Sequence, residues 1–468
     1  MKPVLFFKGL SWLVVLNLLV KPVWIFFIDR EVQNQIGHEA YGHYFSLFSL
    51  CYVLLFIADA GLTNMMNQRL AKTMQVNTLQ CLRLKLLLSL VYLVVVFFIA
   101  TITGIREWSL LIYITGIQLL TSLFIFLRGL ITANQYFSAD AWLSIIDKTL
   151  VIVFCAGFIY SPAVFGDISL LLFLQIQLLS SCAAVIFALW FILRKQLFIC
   201  QENDKPLSLF RAMTPFAIII LLMSVHYRLD GFLLERLHTN GDYEAGLYAS
   251  AFRLLDAGNM VGYLAAGFLV PFAARNQTNK TLLENLVSSI TYFLLLFGIA
   301  AACFSILFPG WIQQLLYHSN SGYHSKIIQL CIAVLPAYMM IHIYGSLLTA
   351  TSHLRVFIII LAVCVFINIG LNLWLIPGNG AAGSAISALI SQYLCAIACY
   401  STVAKILHLS FRTRSNWMLI STAFLLGLFL YFGKLFQVNV WLILVIAALM
   451  LLLILLLLIG YKKIIPLH

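Results

Sequence analysis

The chain has 468 residues, 63% hydrophobic and 9% charged, a composition too apolar to cover a water-soluble surface. Fourteen spans of about 20 residues would use about 280 of them and leave connections averaging about a dozen residues, which excludes a separate soluble catalytic domain. The 28 Lys and Arg against 16 Asp and Glu give +12, a surplus that basic cytoplasmic loops account for without a nucleic-acid partner.

Apolar runs of spanning length fall at 10–28, 43–63, 86–105, 109–131, 141–160, 168–193, 213–234, 247–270, 286–308, 327–350, 356–376, 381–403, 417–433 and 438–459. They predict an all-α polytopic membrane protein of about 14 transmembrane helices, with twelve spans as the alternative count. The first run, after Lys2 and Lys8, is too long for a signal-peptide core and has no small-residue cleavage site before Asp29-Arg30-Glu31, so it is expected to stay as the first span. The closest separations carry the breakers Arg106-Glu107 and Pro377-Gly378-Asn379-Gly380. Ten cysteines lie mostly inside apolar runs with no C-x-x-C pair, so neither a disulfide nor a metal site is expected.

Sorting the basic residues sets the orientation. Eighteen of the 28, Arg83 and Lys85 among them, fall in alternate connections and at both ends. Five (Arg30, Arg106, Arg236, Lys326, Lys434) fall in the opposite connections, and five (Lys21, Arg128, Lys148, Arg228, Arg253) lie within predicted spans. Both termini are therefore expected in the cytoplasm.

Two echoes indicate an internal repeat. Gly42-x-Tyr44-x-Ser46-x-Phe48 recurs as Gly246-x-Tyr248-x-Ser250-x-Phe252, 204 residues on, and Leu130-x-Thr132-Ala133 recurs as Leu347-x-Thr349-Ala350, 217 residues on. Each pair is six spans apart, an even number, so the repeats run parallel. This predicts a six-helix bundle over 1–200, a second over 201–408 in parallel pseudo-twofold relation, and two added helices over 409–468. The basic stretch from Arg194 to Arg211 is the expected linker.

The stretch Lys21-Pro22-Val23-Trp24 through Gly42-His43-Tyr44-Phe45-Ser46-Leu47-Phe48 to Ala58-Asp59-Ala60-Gly61-Leu62-Thr63-Asn64 resembles the start of Wzx-type polysaccharide flippases. Asp230-Gly231-Phe232-Leu233 through Gly246-Leu247-Tyr248-Ala249-Ser250-Ala251-Phe252-Arg253-Leu254 is similar to the start of their second bundle, and Gly380-Ala381-Ala382-Gly383-Ser384-Ala385 resembles the small-residue start of their twelfth span. That family belongs to the multidrug, oligosaccharidyl-lipid and polysaccharide exporter superfamily. The resemblance implies two six-helix bundles forming a V around a central cavity, with alternating access.

Ionisable groups at membrane depth are costly, so each is paired, reaches an interface or lines a wet cavity. Lys21 lies near the middle of the first span beside the helix-bending Pro22 and is read as a cation gripping an anionic headgroup, with pairing to a buried carboxylate as the alternative. Asp29-Arg30-Glu31, at the outer end of that helix, are either a solvated helix end or a site. Arg228, Asp230, Arg253 and Asp256 reach similar depth on an antiparallel pair of spans, as an ion-pair knot or as a substrate-facing group. Asp59 and Arg128 sit about one turn from the cytoplasmic ends of their spans, where Arg128 is read as snorkelling. Adjacent Asp147 and Lys148 diverge by about 100° and are not expected to share a helix face.

The expected substrate-binding residues are Lys21, Arg30, Arg228 and Arg253; the expected ion-coupling or gating residues are Asp59, Asp147, Asp230 and Asp256. The function expected is flipping of a polyprenyl-pyrophosphate-linked oligosaccharide across the bacterial cytoplasmic membrane, with membrane lipids and a coupling ion, proton or sodium, as partners and no cofactor or metal. An ion-coupled multidrug or cation antiporter of the same fold is the alternative, and a membrane enzyme of polysaccharide assembly the next. Gly378-x-Gly380-x-x-Gly383 matches a dinucleotide fingerprint without the strand–turn–helix unit that would make it one. Its neighbours Ala381/Ala385 and Ser384/Ala388 form small-residue pairs suited to close helix packing. The sequons at Asn276 and Asn279 fall in an expected cytoplasmic loop. No P-loop or H-E-x-x-H occurs, so neither ATP-driven transport nor metal-dependent catalysis is expected.

Overall fold

The computed structural model describes residues 3–71, 76–199, 206–275, 280–317, 321–407 and 413–464, and these are helical with no strand. The sequons at Asn276 and Asn279, and the linker before residue 206 from residue 200 on, lie outside the described residues.

The first span opens as α1 (Pro3–Val23). Pro22 has no N–H to give the carbonyl of Leu18 and crowds it. Directly after it the helix widens into a π-turn, Trp24–Asp29, in which the Arg30 N–H bonds the Ile25 carbonyl. The chain continues as α2 (Arg30–Ile36), so the span runs to Ile36 and not to the expected 28. Asp29-Arg30-Glu31 are therefore inside the helix, with Asp29 fully buried.

The second span joins α3 (His38–Leu54) and α4 (Phe56–Asp59), followed by α5 (Leu62–Ala71). α6 (Thr78–Ile102) starts well before the expected position 86, because the Asn77 side chain caps it by accepting the Gln80 N–H at 2.9 Å. Lys85, assigned by sequence to a cytoplasmic connection, is consequently carried into the helix and buried. α7 (Trp108–Ala133), α8 (Phe137–Tyr160), the short α9 (Pro162–Phe165) and α10 (Leu170–Arg194) follow, then α11 (Pro206–Leu237) and α12 (Gly241–Arg275). Beyond them come α13 (Lys280–Leu307), α14 (Pro309–Tyr317), α15 (Gly322–Ile332), α16 (Leu335–Ala350), α17 (Leu354–Ile406), α18 (Thr413–Leu435) and α19 (Val440–Ile464).

α17 has 53 residues and would reach about 80 Å if straight, far beyond a bilayer. It is broken at Gly380, whose φ of 53° and ψ of −133° only glycine adopts without strain. The two arms fold back on each other: Asn368 Nδ2 donates to Ser391 Oγ at 3.2 Å, and a Cβ on Gly383 would lie 2.6 Å from the Leu375 carbonyl oxygen. The Ala381 N–H exposed by the break donates to Glu244 Oε2 of α12 at 2.7 Å. Twelve helices meet the length and hydropathy of a span among the described residues. Counting both arms of α17 and adding Val440–Ile464 gives the expected fourteen.

The chain packs as two compact units: Met1–Met260 with His353–Ser391, and Val261–Ser352 with Gln392–His468. The first has a large apolar centre where Leu62 and Met65 of α5, Phe126 and Leu130 of α7, Ala184 and Ala188 of α10 and Met213 of α11 meet. Within it, α3 and α12 cross at two glycines: a Cβ on Gly42 would fall on the Asp242 carbonyl, and one on Gly246 would fall on that of His38. These are reciprocal contacts, since adding 204 to 42 and 38 gives 246 and 242, the offset of the first sequence echo. In the second unit α13 packs against α16 and α18. Phe308, Leu426, Leu430 and Ile443 form an apolar cluster there.

Candidate functional site

The predicted site residues, all in the first unit, fall in three places. Around the π-turn, Arg253 Nε of α12 lies 2.8 Å from Asp29 Oδ2, and the Tyr41 hydroxyl donates to the same oxygen at 2.8 Å. Arg253 Nε also donates to the Tyr41 hydroxyl at 3.0 Å. One helical turn before Phe232, Arg228 Nη2 donates to Asp256 Oδ2 at 2.7 Å. The Phe48 ring lies 6.0 Å from the Arg253 guanidinium and 5.8 Å from that of Arg228, which also sits 4.6 Å from the Phe252 ring. Aromatic faces thus cover two arginines whose carboxylates hold them from the side. Asp29 Oδ1 and Arg228 Nη1 are buried and make no hydrogen bond.

Of the predicted group of four, Arg228, Arg253 and Asp256 do converge, but the pairing differs from that expected. Asp230 faces no cation within ion-pair distance among the described residues. Its Oδ1 accepts from Asn372 Nδ2 at 2.8 Å and its Oδ2 from the Tyr248 hydroxyl at 3.2 Å. From there a buried polar file runs along the first arm of α17 and across to the second: Asn372 Nδ2 to Asn368 Oδ1 at 3.2 Å, Asn368 to Ser391, and Ser391 Oγ to His226 Nε2 at 3.1 Å. Asn372 Oδ1 remains without a partner. The carboxylate sequence reading left at a helix end, Asp29, is the one that neutralises Arg253. Arg30 instead turns to its neighbour Glu31, Nη2 to Oε2 at 2.6 Å.

The second place is the face where α1 packs on α8. Arg128 holds Asp140 with two hydrogen bonds, 2.6 and 3.1 Å, and so is paired where snorkelling was expected. Lys148 Nζ lies 3.3 Å from Asp147 Oδ2 and 4.4 Å from the centre of the Trp24 ring. The flexible lysine stem bends back to its neighbour, which the angular separation of their Cβ atoms does not prevent. Lys21 is half-buried, makes no hydrogen bond or ion pair with a described residue, and is surrounded by the charges of Arg128, Asp147 and Lys148. Three cations meet two carboxylates here, leaving Lys21 unmatched.

The third is an internal staple. Lys85 of α6 donates to Asp59 Oδ1 and to Ser122 Oγ, both at 2.7 Å, and the Thr63 hydroxyl bonds the same Asp59 oxygen. Asp59 is therefore engaged by a buried lysine that sequence reading had placed in a loop. Sequence reading also passed over Tyr41, Asp140, Asn368 and Asn372. The last two were open to detection, because amides four residues apart share one helix face in a run otherwise free of polar groups.

Fold and site together define a polytopic membrane protein whose spans carry buried ion pairs, two of them covered by aromatic rings. Residues 6–277 match the family described as polysaccharide biosynthesis protein, which is more than half of the sequence, and the chain belongs to that family. Comparison with curated proteins gives no match. Among solved structures, the chain is similar to the lipid II flippase MurJ in an inward closed conformation, at 12% identity over 97% of this chain and 99% of that one, with a TM-score of 0.70. It is also similar to a MATE protein in complex with MaL6, at 14% identity, 86% and 96% coverage and a TM-score of 0.62. The Vibrio cholerae MATE transporter VcmN in the bent form shares 15% identity over 86% of this chain and 98% of that one, with a TM-score of 0.58. At these identities the likeness establishes a common fold.

Proposed function

We propose that the chain is a flippase that carries a polyprenyl-pyrophosphate-linked oligosaccharide from the cytoplasmic to the outer leaflet of a bacterial cytoplasmic membrane. The observation that carries this reading is the unmatched Lys21 in a net-cationic group at membrane depth, in a chain of the polysaccharide biosynthesis family. A pyrophosphate needs concentrated positive charge to leave water, and ammonium and guanidinium groups supply it. Arg228 and Arg253 are the second anion-binding pair, with Arg228 Nη1 holding a free N–H. The six-helix bundles over 1–200 and 201–408 rock about the substrate, with both termini in the cytoplasm, and the reciprocal Gly42/Gly246 contact supports that parallel repeat.

Transport against a gradient needs an ion, and Asp230 is the coupling candidate that the contacts favour. It is a buried carboxylate with no cation to neutralise it among the described residues, backed by amide and hydroxyl groups that can rearrange around a proton or a sodium ion. Asp147, Asp256 and Asp59 are each committed to a cation.

Complementation of surface-glycan production, with membrane protein levels measured in parallel, tests the reading. Lys21→Arg should keep partial activity, whereas Lys21→Ala and Lys21→Asp should abolish it at normal protein levels. Full glycan production by Lys21→Ala would remove Lys21 from the site, and a chain that instead confers drug efflux without glycan export would move the function to a cation antiporter.

A further inference from the structure

Four acidic or imidazole side chains, from three helices and the residue before a fourth, converge at the end of the first unit that the charge sort places outside the cell. His43 Nδ1 of α3 lies 3.2 Å from Asp242 Oδ1 of α12 and 3.9 Å from Glu235 Oε1 of α11, and His43 Nε2 lies 3.0 Å from Glu107 Oε2, just before α7. One donor atom each from His43, Glu235 and Asp242 falls within 4.8 Å of the others.

Two of these carboxylates have an ordinary explanation. Asp242 in the first turn of α12 and Glu107 ahead of α7 complement the positive ends of helix dipoles. Glu235 has no such reason to be there: it lies in the last turn of α11, the end that disfavours a carboxylate, and only 12% of its side chain is exposed. It is also held in place. Ser46 Oγ donates to Glu235 Oε2 at 3.1 Å and Arg236 Nε lies 2.9 Å from that oxygen, which leaves Oε1 directed at the imidazole. The Gly42 contact beside His43 fixes α3 on the backbone of Asp242, so the spacing of the donors is set by helix packing. Three carboxylates around one imidazole, with Arg236 the one arginine or lysine paired to them among the described residues, repel one another unless a further positive charge joins them. His43 Nε2 is closed off from solvent and makes no hydrogen bond, although Glu107 stands beside it.

We propose that this group binds a divalent transition-metal cation of the zinc class, with His43 Nδ1, Glu235 and Asp242 as ligands, Glu107 behind the imidazole at its other nitrogen, and Ser46 and Arg236 orienting Glu235 from behind. One imidazole nitrogen with carboxylate oxygens suits Zn2+, whereas Mg2+ and Ca2+ select all-oxygen sites. Donors about 2.0–2.2 Å from a tetrahedral ion stand roughly 3.3–3.6 Å apart; the separations from His43 Nδ1 are 3.2 and 3.9 Å, and the two carboxylates lie within 4.8 Å of each other, so side-chain adjustment closes the set. The bound ion would tie α3 to α11 and α12, joining the starts of the two repeats where they cross.

Thermal unfolding of the purified, tag-free full chain, followed with ZnCl2, with MgCl2 and after EDTA, tests the site independently of transport. Micromolar Zn2+ should raise the unfolding midpoint, EDTA should reverse the rise, and Mg2+ should leave it unchanged. His43→Ala and Glu235→Gln should weaken the apparent Zn2+ affinity at least tenfold. If either fails to fold, Asp242→Asn, at a half-exposed position, gives the same reading. A wild-type midpoint indifferent to Zn2+, or variants that respond like wild type, would overturn the proposal.

Discussion

Asp29 and Asp230 are both fully shielded from solvent and each accepts a hydrogen bond from a tyrosine, yet only Asp29 faces a guanidinium. The consequence of neutralising them therefore differs. Asp29→Asn leaves Arg253 buried without its counter-charge, which costs about 3–5 kcal/mol, and the yield of folded, monodisperse protein should fall. Asp230→Asn strands no cation, and its amide can accept from Asn372 and donate to the Tyr248 hydroxyl oxygen, so folded protein should accumulate at near wild-type level while ion-coupled transport is lost. Equal loss of folded protein in both variants, by size exclusion and thermal melting, would show that an unrecognised cation serves Asp230. The same reasoning makes Lys85→Ala less harmful than Asp59→Ala, because removing the lysine leaves a carboxylate that still has the Thr63 hydroxyl and N–H, whereas removing the carboxylate leaves a buried ammonium with Ser122 alone.

Between helices the tightest constraint is the α3/α12 crossing. Membrane helices gain little from excluding water against lipid and rely on close backbone approach, which small residues permit. Gly42→Ala and Gly246→Ala each add a Cβ where a backbone carbonyl already sits, and only separation of the helices relieves that overlap. Each should cost about 1–3 kcal/mol or more and lower the melting temperature, while Gly370→Ala, with nothing within 4 Å of its Cβ, serves as a silent control. A Gly42→Ala protein as stable as wild type would mean the crossing is not close. The π-turn after Pro22 acts on the same scale of structure: widening the helix by one residue turns Asp29 toward Tyr41 and Arg253.

Across the bilayer, the alternating distribution of lysine and arginine predicts that residues 195 and 353 face the cytoplasm and residues 240 and 436 the outside. Cysteine labelling from each side of the membrane checks this, and finding 195 and 240 on one side would break the assignment of α11 as a span. Burial of Lys85 removes one cation from the cytoplasmic count without changing its direction, since Arg83, nearer the start of α6, stays exposed.

Hydropathy by itself determined that the chain is an all-α membrane protein and located nearly all its spans, because burial in lipid imposes a length and a composition on every segment that any window of sequence records. Pro377-Gly378-Asn379-Gly380 even announced the reversal inside α17. The tertiary structure alone decided which charges neutralise which: Asp29 with Arg253 on a distant helix, Asp59 with Lys85, Arg128 with Asp140. Adjacent positions such as Asp147 and Lys148 misled for the opposite reason, their flexible side chains meeting despite divergent Cβ directions. Ion pairing depends on distances of a few ångströms between atoms on different helices, and those distances follow from register and rotation at crossings such as Gly42 on Asp242, which one-dimensional patterning does not encode.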